Sequence, residues 1–146
     1  MIKNSLIFFA ALILIYSSVH ATESPVFATR AGAIRGYDPV AYFTEGKPVK
    51  GSDLQTFEWK GETFKFASAK HLAMFKAQPD KYAPQYGGYC AYAVSEGATA
   101  STKPEAWSIF DNKLYLNYSL NIRKLWSKNI PGRIADADKN WPGVLN

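Results

Sequence analysis

The chain has 146 residues, enough for one folded domain, and it is 47% hydrophobic and 15% aromatic. This composition excludes a disordered chain, because disordered segments contain few aromatic residues. The net charge of +5 comes from basic residues that are scattered along the sequence without a nucleic-acid-binding motif, so we expect no nucleic-acid partner.

Residues 1–21 have the pattern of a secretory signal peptide. A short basic start precedes the apolar run from Ser5 to Val19, and Val19 and Ala21 occupy the third and first positions before a cut after Ala21. The apolar run is shorter than the roughly 20 apolar residues of a membrane-spanning helix, so an uncleaved anchor is the less favoured alternative. The sequence therefore predicts export to the periplasm or to the outside of the cell, with no membrane span after cleavage.

Residues 22–35 show little periodicity and are expected to form an extended lead-in to one domain over residues 36–146. The dipeptide Asp38-Pro39 is a turn signal. Residues 40–44 are expected to form a short helical turn that ends before Gly46. The domain is thus predicted to begin with a turn and a short helical segment.

The clearest strand signal is a pair of alternating segments around Gly61. In residues 56–60 and 62–66, apolar and polar side chains alternate with a period of two, which predicts a β-hairpin with aromatic side chains on one face. Ser68 is a good N-cap for a helix predicted over residues 69–77. We expect the apolar face of this helix to cover the aromatic face of the hairpin.

The second half of the domain repeats the pattern of a hairpin followed by helices. Asp111-Asn112 connects the apolar stretches 106–110 and 113–118, which predicts a second hairpin. Further helices are expected over residues 120–128 and 131–140. The predicted class is α+β: a small single domain in which antiparallel hairpins pack against short helices.

Cys90 is the only cysteine of the chain and lies in the run Tyr86-Gly87-Gly88-Tyr89-Cys90-Ala91-Tyr92. A single thiol cannot form an intramolecular disulfide, and in an oxidising compartment it needs to be buried, bound to a partner or used chemically. Backbone N–H groups of the glycine-rich run would stabilise a thiolate. The alternative is an inert thiol, because free cysteine is among the most frequently buried residue types.

His71 is the only histidine outside the predicted signal peptide, and it is the second candidate residue. If it meets Cys90 in space, it would serve as a second metal ligand or as the base that activates the thiol. A cysteine and a histidine suit copper or zinc, although two ligands do not complete a closed site. The alternative is a structural histidine beside Leu72 and Phe75. Asp38 is a third candidate, for which an Asx-turn at the Asp-Pro corner is the simpler explanation.

Several short motifs resemble those of the YHS domain family. They follow one another in the order and at the spacing of that family. They are Gly36-Tyr37-Asp38-Pro39-Val40, then Phe64-Lys65-Phe66-Ala67-Ser68 with His71 and Phe75, and then Pro79-Asp80-Lys81-Tyr82. The extension through the Cys90 run to Leu114-Tyr115-Leu116-Asn117-Tyr118 looks like the exported branch, the YHS domain-containing (seleno)proteins. The resemblance covers nearly all of the chain after the predicted signal peptide.

The resemblance implies affinity for soft metal ions or thiol chemistry. Short YHS domains carry cysteines after Asp-Pro-Val and before the serine of the helix cap, and this chain has Ala41 and Ala67 at those two positions. Some members of the exported branch are thought to carry selenocysteine, and Cys90 is the one position here that corresponds to it. That correspondence implies redox or soft-metal chemistry at Cys90.

The sequence therefore predicts an exported binding module, rather than an enzyme, that holds a soft metal ion such as copper or zinc through its lone cysteine, Cys90, with His71 as the candidate second ligand. The first alternative is a thiol-dependent redox protein with Cys90 as its catalytic residue. That role needs a small thiol or a redox partner from outside, because the chain has no second cysteine. The second alternative is a structural or accessory protein with an inert buried cysteine.

Overall fold

The structure is a computed structural model and describes residues 22–146. The predicted signal peptide, residues 1–21, lies outside the described residues. Within them, six α-helices and three two-stranded antiparallel sheets form a mixed α+β fold, so the predicted fold class is confirmed. No helix of residues 22–146 is long and apolar enough to cross a membrane.

The six strands pair in sequence order as three hairpins. The strands are β1 (Ala28–Thr29), β2 (Gly32–Ala33), β3 (Ser52–Trp59), β4 (Glu62–Phe66), β5 (Trp107–Phe110) and β6 (Lys113–Leu116). The helices are α1 (Pro39–Thr44), α2 (Ala69–Ala77), α3 (Pro79–Tyr82), α4 (Ala91–Ser95), α5 (Leu120–Ser127) and α6 (Ile130–Asn140). Short 3₁₀ turns cover Ile34–Gly36, Gln85–Gly88 and Gly143–Leu145.

The first part of the core lies between the β3–β4 hairpin and α2. Phe75 of α2 is fully buried, and its ring stacks on that of Phe64 with the centroids 5.0 Å apart. The Phe75 ring also lies 5.1 Å from that of Phe66 and 5.7 Å from that of Trp59, centroid to centroid. Because alternate side chains of a strand point to the same face, the helix covers the aromatic face of the hairpin, as predicted.

The second part of the core lies between β6 and the C-terminal helices. Trp126 of α5 is fully buried against Tyr115 of β6, with the ring centroids 5.1 Å apart. Ser119 caps α5 by accepting the N–H of Ile122. The predicted hairpin and both predicted helices of this region are present, with Pro131 in the first turn of α6.

The short helix α4 is not among the predicted elements. Its five residues follow Cys90 directly and are too few to show a helical period. Tertiary contacts hold it in place, since the side-chain amide of Asn140 in α6 donates to the carbonyl of Val94 at 2.8 Å. The helix therefore depends on α6, which follows it by many residues.

Residues 22–35 pack into the domain and include the β1–β2 hairpin. Val26 is fully buried, and the N–H of Phe27 donates to the carbonyl of Gly87 at 2.9 Å. A Cβ atom at Gly87 would lie 1.9 Å from the carbonyl oxygen of Pro25, so only glycine allows this approach. The expected lead-in is thus a part of the core.

Candidate functional site

Cys90 directly precedes α4, and its side chain lies in the protein interior, with the residue 1% exposed. The chain reaches this position through a turn in which Tyr86, Gly87 and Gly88 have positive φ. A Cβ atom at Gly88 would lie 2.5 Å from Cγ2 of Ile34, so the glycine is needed for close packing. The glycine-rich run therefore serves to bring the Cys90 segment against its neighbours.

The sulfur of Cys90 is hydrogen-bonded to the residues that follow β6. The S–H group donates to Oδ1 of Asn117 at 3.5 Å, and Sγ accepts the N–H of Tyr118 at 3.3 Å. Asn117 is fully buried, and its Oδ1 also accepts the N–H of Tyr92 at 3.0 Å. The thiol and the amide together connect the start of α4 with the end of the β5–β6 hairpin.

Burial raises the pKa of the Cys90 thiol above its ordinary value. The backbone N–H groups of Ala93, Tyr118 and Tyr92 act in the opposite direction, because they stabilise a negative charge on the sulfur. Since desolvation is the larger effect, the group is a protonated thiol at neutral pH. The nucleophilic thiolate is the minor form.

His71 lies in α2, and its ring belongs to a second cluster with Asp38 and Thr44. Its Nδ1 is 2.6 Å from Oδ2 of Asp38, and its Nε2 is 3.2 Å from Oγ1 of Thr44. Asp38 is fully buried, whereas Thr44 is exposed at the end of α1. The cluster therefore runs from the interior to the surface.

Asp38 has two structural roles in this cluster. Its Oδ1 accepts the N–H groups of Val40 at 2.8 Å and Ala41 at 3.2 Å, and so caps α1. Its Oδ2 accepts the N–H of Ala67 at 2.8 Å in addition to pairing with His71. The turn expected at the Asp-Pro corner is present, and the same carboxylate joins α1 to the start of α2.

Thr44, His71 and Asp38 are connected in the order of a hydroxyl–imidazole–carboxylate triad. Oγ1 of Thr44, the last residue of α1, also donates to the carbonyl oxygen of Val40 one turn earlier, at 3.3 Å. The C-terminal end of a helix carries partial negative charge, which would destabilise an alkoxide or oxyanion. Catalysis of acyl transfer needs N–H donors that stabilise the oxyanion of the tetrahedral intermediate. The arrangement is suited to joining α1 to α2.

The two predicted metal ligands belong to separate hydrogen-bonded clusters. His71 is bonded to Asp38 and Thr44, whereas Cys90 is bonded to Asn117 and Tyr118. In the part of the chain that the structure describes, no three His, Cys, Asp or Glu side chains form a group that could hold a metal ion. Copper and zinc prefer thiolate and imidazole ligands, and the polar groups that meet the Cys90 sulfur are instead the amide oxygen of Asn117 and the N–H of Tyr118.

The residues that complete the two clusters, Asn117 and Thr44, are not singled out by the sequence patterns above. Asn117 carries a signal, because it is a polar residue next to the apolar run Leu114–Leu116, and a buried polar side chain needs a hydrogen-bond partner. Thr44 carries none. Only the packing of α1 against α2 brings it to His71.

No protein-family model, no curated protein and no solved structure matches this chain. The resemblance to the YHS domain family therefore stays a prediction from the motifs in the sequence.

Proposed function

We propose that the protein is an exported binding module of the YHS type, in which Cys90 is a structural thiol. The observation that carries the proposal is the enclosure of its sulfur, which donates to Asn117 and accepts from the N–H of Tyr118. A buried, protonated and hydrogen-bonded thiol supports cohesion between two elements and is a poor nucleophile. For Cys90 this corresponds to the inert, buried cysteine of the second alternative above, and the binding function is proposed without a role for the thiol.

Soft-metal binding through Cys90 stays a prediction. A metal ion would have to replace the thiol proton, and the polar groups that meet the sulfur are the amide oxygen of Asn117 and the N–H of Tyr118. His71, the second predicted ligand, is paired with Asp38 at 2.6 Å. These contacts favour the structural role over a metal centre.

A thiol-dependent redox role is the second candidate, and one observation favours it. The N–H groups of Ala93, Tyr118 and Tyr92 lower the pKa of Cys90 against the effect of burial, so a thiolate would find donors already in place. The thiolate would attack an external disulfide, forming a mixed disulfide and releasing the other sulfur as a thiolate. The chain has no second cysteine, so an external thiol would have to attack the mixed disulfide and release Cys90 as a thiolate.

Alkylation by iodoacetamide distinguishes these roles in the protein purified after export, which we expect to begin at Thr22. Mass spectrometry should show little modification of Cys90 in the folded protein and complete modification in guanidinium chloride. Fast alkylation of the folded protein at neutral pH would overturn the structural role in favour of the redox role.

Metal analysis on the same preparation tests the remaining alternative. After incubation with copper(I) or zinc and removal of excess metal, we expect no stoichiometric metal. Stoichiometric metal that is lost in Cys90→Ser would overturn the structural role. The His71→Ala variant is the matched test of the predicted pairing, since a joint site would lose metal in both variants.

A further inference from the structure

A cleft of about 720 Å³ lies between the turn of the β3–β4 hairpin and the C-terminal end of α6. Its volume is typical of small-molecule sites, which occupy roughly 300–1,000 Å³. Aromatic side chains line it, namely Trp59 beside the hairpin turn, Tyr86 in the Gln85–Gly88 turn and Trp141 after α6. The polar side chains around it are Lys60, Asp80, Gln85, Lys113 and Asp138.

The aromatic side chains of the cleft are held by contacts within the protein. The ring of Trp141 lies 6.0 Å from that of Tyr86 and 6.1 Å from that of Tyr89, centroid to centroid. The ring of Trp59 packs edge-on against Phe75 at 5.7 Å. Both tryptophans are half-buried. The ammonium group of Lys60 lies over the Trp59 ring, with Nζ 4.4 Å from the ring centroid, so Trp141 is the ring that remains for a ligand. A wall that is already ordered loses little conformational entropy when a ligand binds.

Tyr86 fixes the position of one carboxylate at the cleft. Its hydroxyl donates to Oδ1 of Asp138 at 2.8 Å, and burial followed by this hydrogen bond raises the pKa of Tyr86, so the hydroxyl stays protonated. The φ of Tyr86 is 55°, a conformation that is uncommon for residues other than glycine and is concentrated at functional sites. Asp138 is exposed, and the rest of its carboxylate is available to accept a hydrogen bond from a ligand.

The charges at the cleft balance. Lys60 and Lys113 are positive, while Asp80 and Asp138 are negative. A simple anion would be attracted by the ammonium groups and repelled by the carboxylates, and the reverse holds for a simple cation, so the summed charge of the cleft favours neither. A neutral ligand with hydroxyl groups can use both, because hydroxyls donate to carboxylates and accept from ammonium groups. The C–H face of such a ligand can lie against the aromatic rings.

We propose that this cleft binds a neutral carbohydrate, with a sugar ring against Trp141 and hydroxyl groups bonded to Asp80, Asp138 and Lys113. The cleft has room for more than one sugar ring, so the ligand class is an oligosaccharide. The inference rests on the proposed binding-module function. It is independent of the role of Cys90, whose hydrogen-bonding partners do not line the cleft.

Tryptophan fluorescence and calorimetry test this with a panel of neutral tetrasaccharides built from glucose, mannose, xylose or N-acetylglucosamine. We expect saturable binding of at least one of them, with a change in tryptophan emission from the cleft. Asp138→Asn should weaken that binding about tenfold, the effect of losing one charge-assisted hydrogen bond. The asparagine oxygen still accepts from Tyr86, so the fold should be retained.

The matched control is Asp136→Asn, an exposed residue of the same helix that does not line the cleft. It should leave the affinity unchanged, and thermal unfolding should confirm that both variants are folded. Absence of saturable binding by any tetrasaccharide at millimolar concentration would overturn the proposal. Binding whose affinity is unchanged in each of the variants Asp80→Asn and Asp138→Asn would also overturn it. The same holds for binding that is confined to charged or zwitterionic probes such as lysine. None of these results depends on the alkylation of Cys90, so failure here is distinguishable from failure of the structural-thiol role.

Discussion

The two halves of the domain are built from contacts of different range. In the first half, Phe75 of α2 packs on Phe64 and Phe66 of the hairpin that immediately precedes it. In the second half, Tyr86 packs against Trp141, and the two residues are separated by most of that half of the chain. The first part of the core is thus formed largely by contacts between elements that are adjacent in the sequence. The second part forms only when the C-terminal segment packs against it.

The buried polar residues of the two halves differ in how completely they are bonded. The Asp38 carboxylate accepts from three backbone N–H groups and pairs with His71. The amide of Asn117 accepts at Oδ1, but its Nδ2 has no hydrogen-bond partner among residues 22–146. A fully bonded buried group costs most when it is removed, because each partner then loses its bond. We therefore expect the first half to be more sensitive to loss of its buried polar residue.

The largest expected effect is that of Phe75→Ala, which removes the ring on which the first core is assembled. The free energy of unfolding should fall by about 4 kcal/mol, as for other buried aromatic residues replaced by alanine. Chemical denaturation measured by circular dichroism gives this value. Lys70→Ala, at an exposed position of the same helix, is the control and should change stability little. A loss of less than about 1 kcal/mol in Phe75→Ala would mean that the ring is not central to the core.

Removal of the buried polar side chains tests the difference between the halves directly. Asp38→Ala should lower the free energy of unfolding by about 3 kcal/mol, because a helix cap is lost and buried N–H groups are left without partners. Asn117→Ala should cost about 1.5 kcal/mol, since it leaves the partly buried N–H group of Tyr92 and the buried thiol of Cys90 without their acceptor. Denaturant unfolding of both variants provides the comparison. A larger loss of unfolding free energy in Asn117→Ala than in Asp38→Ala would contradict the expected difference between the two halves.

The elements that the sequence predicts correctly are those with local causes. Ser68 accepts the N–H of His71 at 3.1 Å and so begins α2 where the cap pattern places it. Lys60 and Gly61 have φ of 50° and 82°, and Asp111 and Asn112 have 50° and 58°, which is the backbone of two-residue hairpin turns. Turn residues, caps and periodicity all act within a few positions, so they can be found in the sequence.

The sequence does not predict which distant residues meet. It identifies Cys90, His71 and Asp38 as candidates, and all three are buried and hydrogen-bonded. It does not show that His71 pairs with Asp38 and that Cys90 pairs with Asn117, because these partners are chosen by the packing of whole elements. The sequence does not predict the aromatic cleft for the same reason, since a hairpin turn, a 3₁₀ turn and the end of α6 each form one wall.

The smallest expected effect concerns a surface charge pair of the first half, between Asp53 of β3 and Lys65 of β4. Nζ of Lys65 lies 2.7 Å from Oδ1 of Asp53, and this hydrogen bond, followed by charge attraction, lowers the pKa of Asp53. Lys65→Met keeps the aliphatic stem and should raise the Asp53 pKa back towards its ordinary value, because both causes of the lowering are removed. Titration of the side-chain carboxyl by NMR measures the change.

The stabilisation by the Asp53–Lys65 pair depends on pH, because the pKa of Asp53 is lowered in the folded state. The stabilisation by Lys65 is fully present above the unfolded pKa of about 3.9 and is lost as the pH falls through the lower folded value. The stability difference between the wild type and Lys65→Met should therefore shrink below about pH 4 and also in high salt, because Asp53 is fully exposed. An Asp53 pKa that is identical in both proteins would show that Lys65 is not the cause.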